Sequence, residues 1–119
     1  MAGKRLLIVD DEPSMARLMK THLERDGHTV TTMSSSLEVL AAIDGGARFD
    51  VYVLDIQMQR GEPHGLSLAK MLEHRHPAAV CIFVTGDPGM ASHGEFRGRT
   101  VLGKPIDFDA LRRAVVGTK

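Results

Sequence analysis

Residues 51–55 have the sequence Val-Tyr-Val-Leu-Asp, an apolar run that ends in a carboxylate. A strand that is apolar at consecutive positions has no solvent face, which is typical of a central parallel strand covered by helices on both sides. Residues 80–85, Val-Cys-Ile-Phe-Val-Thr, have the same two-faced character. The two segments predict the middle of a parallel sheet.

Outward from this centre, strands and helices alternate. Further strands are predicted at 5–9, 29–33 and 100–102, where β-branched and other apolar residues cluster. A helix is predicted over 65–74, whereas the glycine-rich segment 87–98 favours only a short or mobile helix. Five strands alternating with helices predict one doubly wound α/β domain over all 119 residues.

The starts of the other helices are predicted from residues that favour a first turn or a cap. Pro13 suits the first turn of a helix, because its missing N–H has no partner there in any case. Ser35 and Glu38 have the spacing of a capping box for the next helix. Asp107 can cap the last one. These residues therefore mark the starts of three of the predicted helices.

The composition excludes several classes of protein. Lys and Arg number 15 and Asp and Glu 15, so the formal net charge is zero, which argues against a general nucleic-acid surface. The longest apolar run, 78–84, is far shorter than the about 20 residues of a membrane span. The single cysteine, Cys81, is interpreted as a core residue, and its lack of a partner favours a reducing, cytoplasmic setting.

Polar groups follow the predicted strands at one edge of the sheet. Asp10 and Asp11 follow the first strand, Asp55 ends the third, Thr85 ends the fourth, and Lys104 follows the fifth. In a doubly wound sheet, the binding site lies beyond the carboxyl ends of the strands. These five side chains are therefore the candidate site.

The residue types indicate phosphoryl chemistry. Three carboxylates in one pocket repel each other unless a pKa rises or a cation binds, and Mg²⁺ takes hard oxygen ligands. Lys104 and Thr85 would complete a cradle for a phosphoryl group. A carboxylate can itself be the nucleophile, and Asp55 is best placed because it ends the central strand. The hypothesis is a metal-dependent phosphoryl acceptor at Asp55.

Four motifs in order then resemble the receiver domain of two-component response regulators, including its stand-alone chemotaxis-type members. They are Leu-Ile-Val-Asp-Asp-Glu at 7–12, Val-Leu-Asp-Ile-Gln-Met at 53–58, Val-Thr-Gly at 84–86 and Gly-Lys-Pro at 103–105. The resemblance spans essentially the whole chain. It implies a flavodoxin-like sheet with strand order 2-1-3-4-5 and a cis bond between Lys104 and Pro105.

The resemblance also implies roles for the site residues. Asp55 would take a phosphoryl group from a sensor histidine kinase, a phosphotransfer protein or a small phosphodonor. Asp11, Asp55 and the backbone carbonyl of Gln57 would hold Mg²⁺, and Asp10 would help through water. Thr85 and Lys104 would contact the phosphoryl group.

The implied protein is a signalling phosphoacceptor and not an enzyme. Phosphorylation would switch contacts with a downstream protein target, without direct nucleic-acid binding or membrane insertion. A cytoplasmic monomer or weak dimer is expected. The chain is either a stand-alone receiver or a segment of a longer regulator.

Three positions depart from the family pattern. The family usually has Tyr or Phe three residues before the lysine, and here that position is Val101. The proline four residues after the acceptor is replaced by Gln59, and the family's glycine falls at Gly65, ten residues after the acceptor and not eight. A longer loop is therefore expected, with Arg60, Glu62 and His64 near the pocket.

Two alternatives remain open at the sequence level. The first is a receiver-like binding module without a phosphorylation switch, which Val101 and the glycine-rich segment 87–98 favour. The second is a small haloacid dehalogenase-type phosphohydrolase. That family has an Asp-x-Asp pattern after its first strand, whereas this chain has Asp10-Asp11-Glu12.

Overall fold

The computed structural model describes residues 3–57, 64–87 and 89–117. The strands within these residues are β1 (Arg5–Val9), β2 (Thr29–Met33), β3 (Val51–Asp55), β4 (Val80–Thr85) and β5 (Thr100–Gly103). The α-helices are α1 (Pro13–Arg25), α2 (Ser36–Asp44), α3 (Gly65–Arg75) and α4 (Phe108–Val116). None of the described helices is long and apolar enough to cross a membrane.

The five strands form one parallel sheet in the order β2-β1-β3-β4-β5. This confirms the predicted doubly wound, flavodoxin-like sheet and its strand order. Asp55 is in register with Val84, and Thr85 is in register with Gly103. Val9 of β1 is in register with Leu54. The carboxyl ends of β1, β3, β4 and β5 therefore lie side by side, with the predicted site residues at or just beyond them.

Two hydrophobic cores explain why the central strands are apolar on both faces of the sheet. Successive side chains of a strand point to opposite faces of the sheet. In β3, Tyr52 and Leu54 belong to the core on one face, which includes residues of α2 and α3. Val51 and Val53 belong to the core on the other face, which includes residues of α1 and α4. All of β3 is buried, because helices cover both faces.

The predicted helix starts are confirmed. Pro13 is the first residue of α1. Ser35 Oγ accepts the N–H of Glu38 at 3.1 Å, and the Glu38 carboxylate accepts the N–H of Ser34 at 3.2 Å. Asp107 Oδ1 accepts two N–H groups in the first turn of α4. Each of these caps satisfies amides that have no partner within their own helix.

The segment between β4 and β5 contains two 3₁₀ turns, Met90–Ser92 and Gly94–Phe96, where the sequence predicted a short or mobile helix. Glycine is costly in a helix, and this segment has no apolar stripe with helical spacing to offset that cost. Phe96 is the buried anchor of the segment. Gly98 has a φ of +78°, which favours glycine.

A close approach between α3 and β3 determines where the loop after β3 ends. A Cβ at position 65 would lie 2.6 Å from the backbone oxygen of Asp55, so only glycine fits there. The Gly65 N–H donates to the Ile56 carbonyl at 3.0 Å. Gly65 is thus the residue that lets α3 start directly beside the end of β3. The predicted loop positions Gln59, Arg60 and Glu62 lie outside the described residues.

Candidate functional site

Three carboxylates converge at the carboxyl edge of the sheet. One oxygen each from Asp10, Asp11 and Asp55 can be chosen so that all three lie within 4.8 Å of one another. Asp10 and Asp55 are only 1% and 4% exposed, whereas Asp11 is more open to solvent. The fold therefore places two buried acids and a more accessible one in a single cluster, as the strand-end pattern predicted.

Asp10 lies in surroundings that disfavour its charged form. Its Oδ1 accepts the N–H of Glu12 at 2.8 Å. Its Oδ2 is buried and accepts no hydrogen bond from the part of the chain that the structure describes. Burial raises the pKa of Asp10, and the charges of Asp55 and Asp11 add to this, while the Glu12 amide and Lys104 act to lower it.

Lys104 is the cation of the site. Its Nζ donates to Asp55 Oδ2 at 3.1 Å and lies 3.5 Å from Asp10 Oδ2. Burial acts to lower the pKa of this ammonium, but the hydrogen bond to Asp55 and the charges of Asp10 and Asp55 outweigh it, so the pKa is raised. The Lys104 N–H donates to the Thr85 carbonyl at 2.8 Å, and the following bond to Pro105 is cis, as predicted.

The cluster fits a small divalent cation. Its donors are carboxylate oxygens, the ligands that Mg²⁺ prefers. Asp10 Oδ2 is buried, accepts no hydrogen bond from the described residues and has only the longer contact with Lys104 at 3.5 Å, so a bound ion or water would complete its surroundings. Among the described residues, Lys104 brings one positive charge to three carboxylates, so the cluster can take up further positive charge.

Thr85 and Gln57 form a second part of the site. Thr85 is 2% exposed, and its Oγ1 donates to the Gln57 side-chain oxygen at 3.1 Å. The same Oγ1 accepts the N–H of Asp87 at 3.0 Å. The Gln57 N–H donates to Asp55 Oδ1 at 3.0 Å. The backbone carbonyl of Gln57 was predicted to bind the metal, and the contact of its side chain with Thr85 is an addition from the structure.

Val101 stands at the position where the family usually has an aromatic residue, and a different aromatic residue packs nearby. Val101 is half-buried beside the core cluster that contains Phe83 and Phe96. The Phe96 ring meets the Phe83 ring edge-on, with 5.3 Å between centroids. An aromatic side chain therefore does pack on β4 here, but it comes from the second 3₁₀ turn and not from β5.

Arg99 ties this region to α3. Its guanidinium donates to both carboxylate oxygens of Glu73 at 2.9 Å and lies 5.4 Å from the centroid of the Phe83 ring. Such a two-pronged pair fixes orientation as well as distance. The end of the segment before β5 is thus held against α3.

His64, which was expected near the pocket, lies immediately before α3. Together with Gln57, Met90 and Phe96 it lines an open groove of about 400 Å³ beside the site. All six residues predicted for the site lie in the acidic and hydrogen-bonded cluster described above: Asp10, Asp11, Asp55, Gln57, Thr85 and Lys104.

The chain matches a family model. The model for the response regulator receiver domain matches residues 6–116. This range contains every residue of the candidate site.

Individual relatives are similar to the chain over a domain-sized region. The transcriptional regulatory protein TcrA of Mycobacterium tuberculosis is 41% identical over 58 residues, which are 49% of this chain and 22% of that protein. The DNA-binding transcriptional regulator NtrC of Salmonella typhimurium is 33% identical over 108 residues, which are 86% of this chain and 22% of that protein. The chain thus spans less than a quarter of the length of these two relatives.

Among solved structures, the response regulator protein TrrA of Thermotoga maritima, in complex with Mg²⁺ and BeF, is similar over nearly the whole chain. The TM-score is 0.85 at 28% sequence identity, and the match covers 98% of this chain and 99% of that one. The similarity therefore includes the complete sheet and the helices on both of its faces.

Proposed function

The chain belongs to the response regulator receiver family, and from that membership we propose that Asp55 is its phosphoacceptor. The observation that supports this most directly is the contact of Lys104 Nζ with Asp55 Oδ2 at 3.1 Å, beside the cluster of Asp10 and Asp11. A nucleophilic carboxylate, a fixed cation and two further acids are the groups that carboxylate-based phosphoryl transfer needs.

The proposed step is a displacement at phosphorus. An oxygen of the Asp55 carboxylate forms a bond to the phosphorus of the donor, and the bond from phosphorus to the donor's leaving group breaks. With acetyl phosphate the leaving group is acetate, and with a histidine donor it is the imidazole. The ammonium of Lys104, whose pKa is raised, stays protonated at neutral pH and stabilises the phosphoryl oxygens.

We further propose that Asp10, Asp11, Asp55 and the backbone carbonyl of Gln57 would hold Mg²⁺. When bound, Mg²⁺ offsets negative charge on the carboxylates and on the phosphoryl group. Asp11 is the more accessible of the acids, so it is the best placed to meet an incoming ion. Oδ2 of Asp10, which accepts no hydrogen bond from the described residues and has Lys104 Nζ 3.5 Å away, would gain a second favourable electrostatic contact, directly or through water.

The test is the intact mass of the protein after incubation with Mg²⁺ and acetyl phosphate. We expect a gain of about 80 Da, one phosphoryl group, that is absent without metal and absent from Asp55→Asn. Asp44→Asn is the matched control, since Asp44 is an exposed carboxylate that pairs with Arg75 outside the site. A gain that persists in Asp55→Asn would contradict the assignment of the acceptor.

The partners follow from the same proposal. A sensor histidine kinase or a phosphotransfer protein would supply the phosphoryl group, and a downstream protein would respond to it. We propose a non-enzymatic, cytoplasmic role, with residues 1–119 forming one receiver domain that is a monomer or a weak dimer and contacts neither nucleic acid nor membrane. The similarity to the regulators NtrC and TrrA supports a role in two-component signalling.

Val101 favours a second candidate, a receiver-like module that binds a partner without a phosphorylation switch. Its side chain is half-buried beside Phe83 and Phe96 and is smaller than the usual aromatic. This candidate predicts that Mg²⁺ and a phosphodonor leave partner binding unchanged. The mass measurement separates the two, because a module without a switch has no need of a modified Asp55.

A further inference from the structure

The Thr85 hydroxyl is already engaged in the unmodified chain. Its Oγ1 lies 3.1 Å from the Gln57 side-chain oxygen and 3.0 Å from the Asp87 nitrogen. A hydroxyl carries a single proton, so it can donate only one hydrogen bond at a time. Thr85 therefore cannot donate both to Gln57 and to a phosphoryl oxygen on Asp55.

Gln57 contacts both residues involved in this exchange. Its backbone N–H donates to Asp55 Oδ1 at 3.0 Å, while its side-chain oxygen accepts the Thr85 hydroxyl. Thr85 is buried, but Gln57 is exposed and borders the open groove with Met90 and Phe96. The Gln57 side chain can leave Thr85 for solvent without displacing core residues.

We propose that Gln57 is a positioning residue for Thr85: its amide oxygen holds the Thr85 hydroxyl while Asp55 is unmodified and gives it up when Asp55 is phosphorylated. This inference rests on the proposed function. In the exchange, the Thr85 O–H donates to a phosphoryl oxygen in place of Gln57, and water takes over the Gln57 amide. No covalent bond changes apart from the transfer to Asp55.

Hydrogen bonds connect Thr85 to the segment between β4 and β5. Asp87 donates its N–H to Thr85 Oγ1, and its own Oδ1 accepts the N–H of Gly89 at 2.9 Å. Gly89 directly precedes the 3₁₀ turn Met90–Ser92. A shift of the Thr85 hydroxyl therefore acts on the start of the segment that contains Phe96, without any aromatic at position 101.

The proposal predicts that Gln57 competes with the phosphoryl group. Removing the competitor by Gln57→Leu is expected to tighten binding of beryllium trifluoride, a phosphoryl analogue, about fivefold in saturating Mg²⁺, the effect of one net hydrogen bond. Since Gln57 is exposed, this substitution removes no core contact. The measurement is a titration with the analogue, followed by thermal shift or NMR.

Thr85 provides the internal control. In a Thr85→Val background, which lacks the hydroxyl, Gln57→Leu is expected to change the affinity less than twofold. In a Thr85→Ser background, which keeps the hydroxyl, the fivefold effect is expected to return. Such coupling between two residues is what a double-mutant cycle isolates, whereas a general structural role for Gln57 would act in all three backgrounds.

The outcomes are distinguishable. If the unsubstituted chain binds the analogue and Gln57→Leu leaves the affinity unchanged, weakens it or alters it equally with Thr85→Val, the role of Gln57 is wrong and the proposed function stands. If the unsubstituted chain does not bind the analogue, or Asp55→Asn binds it equally well, the proposed function fails and the role of Gln57 fails with it.

Discussion

Lys104 and Asp55 are 49 residues apart in the sequence, yet Nζ of Lys104 lies 3.1 Å from Oδ2 of Asp55. The contact is possible because β5 ends beside β4 and β4 ends beside β3, so that the residues following parallel strands meet at one edge. Lys104 is held there by its backbone hydrogen bond to Thr85. This pair is the electrostatic centre of the proposed site.

Replacing Lys104 should slow phosphoryl transfer without weakening Mg²⁺ binding. Lys104→Met is expected to slow phosphorylation by acetyl phosphate about tenfold to a hundredfold, the effect of a lost hydrogen bond to a charged group. Mg²⁺ affinity should rise, because a competing positive charge near the carboxylates is removed. Lys70→Met, at an exposed position of α3, is the control and should match the unsubstituted chain in both measurements. A Lys104→Met protein phosphorylated at the normal rate would contradict the role.

The buried charge of Asp10 should cost stability when no metal is present. Because the pKa of Asp10 is raised in the fold, the folded chain binds its proton more readily than the unfolded chain does. This contribution therefore lowers the free energy of unfolding as pH rises from the ordinary value of 3.8 through the raised value, and the loss is complete above it. Asp10→Asn is expected to raise the free energy of unfolding at pH 7 by about 1 kcal/mol in chelator.

Mg²⁺ should reduce this difference in stability between Asp10→Asn and the unsubstituted chain. At tenfold excess over its dissociation constant, a bound ion adds about 1.4 kcal/mol to the unsubstituted chain, and it should add less to Asp10→Asn. Urea unfolding with and without Mg²⁺ measures both effects. An Asp10→Asn protein that is less stable than the unsubstituted chain in chelator would show that the Asp10 carboxylate is a net stabilising group.

Gly65→Ala should destabilise the fold at the end of β3. The added Cβ would meet the Asp55 oxygen at 2.6 Å and the Ile56 Cα at 2.9 Å, and backbone atoms cannot yield cheaply. A loss of about 1–3 kcal/mol in the free energy of unfolding is expected. Gly94→Ala is the matched control, since a Cβ there has nothing within 4 Å, and should change stability by less than about 0.5 kcal/mol.

Cys81 should react as a buried thiol. Burial raises its pKa from 9.0 to about 12, with a smaller contribution from Glu73. Since the thiolate is the reactive form, the rate of alkylation by iodoacetamide should climb about a hundredfold between pH 8 and pH 10 without levelling. The denatured chain should level near pH 9, and a native profile that also levels there would contradict the raised pKa.

Much of the fold could be predicted from local pattern. The two-faced apolar runs at 51–55 and 80–85 indicated central parallel strands, and both strands have those bounds in the structure. The capping residues Ser35 and Asp107 indicated helix starts, because a side-chain oxygen can satisfy amides only at those positions. The segment 87–98 was harder, since its glycines argue against a helix without specifying the 3₁₀ turns that replace it.

The sequence itself determined which side chains meet at the site, because residues that end or follow parallel strands must lie at the carboxyl edge of the sheet. These side chains are the three carboxylates, Thr85 and Lys104. The tertiary structure alone decided how these groups are paired. The bond from Thr85 to Gln57, the contact of Lys104 with Asp10 and the packing of Phe96 on Phe83 depend on side-chain rotamers and on contacts between elements far apart in the chain. Sequence periodicity specifies which edge or face a side chain occupies, but its partner is decided by the packing of the whole fold.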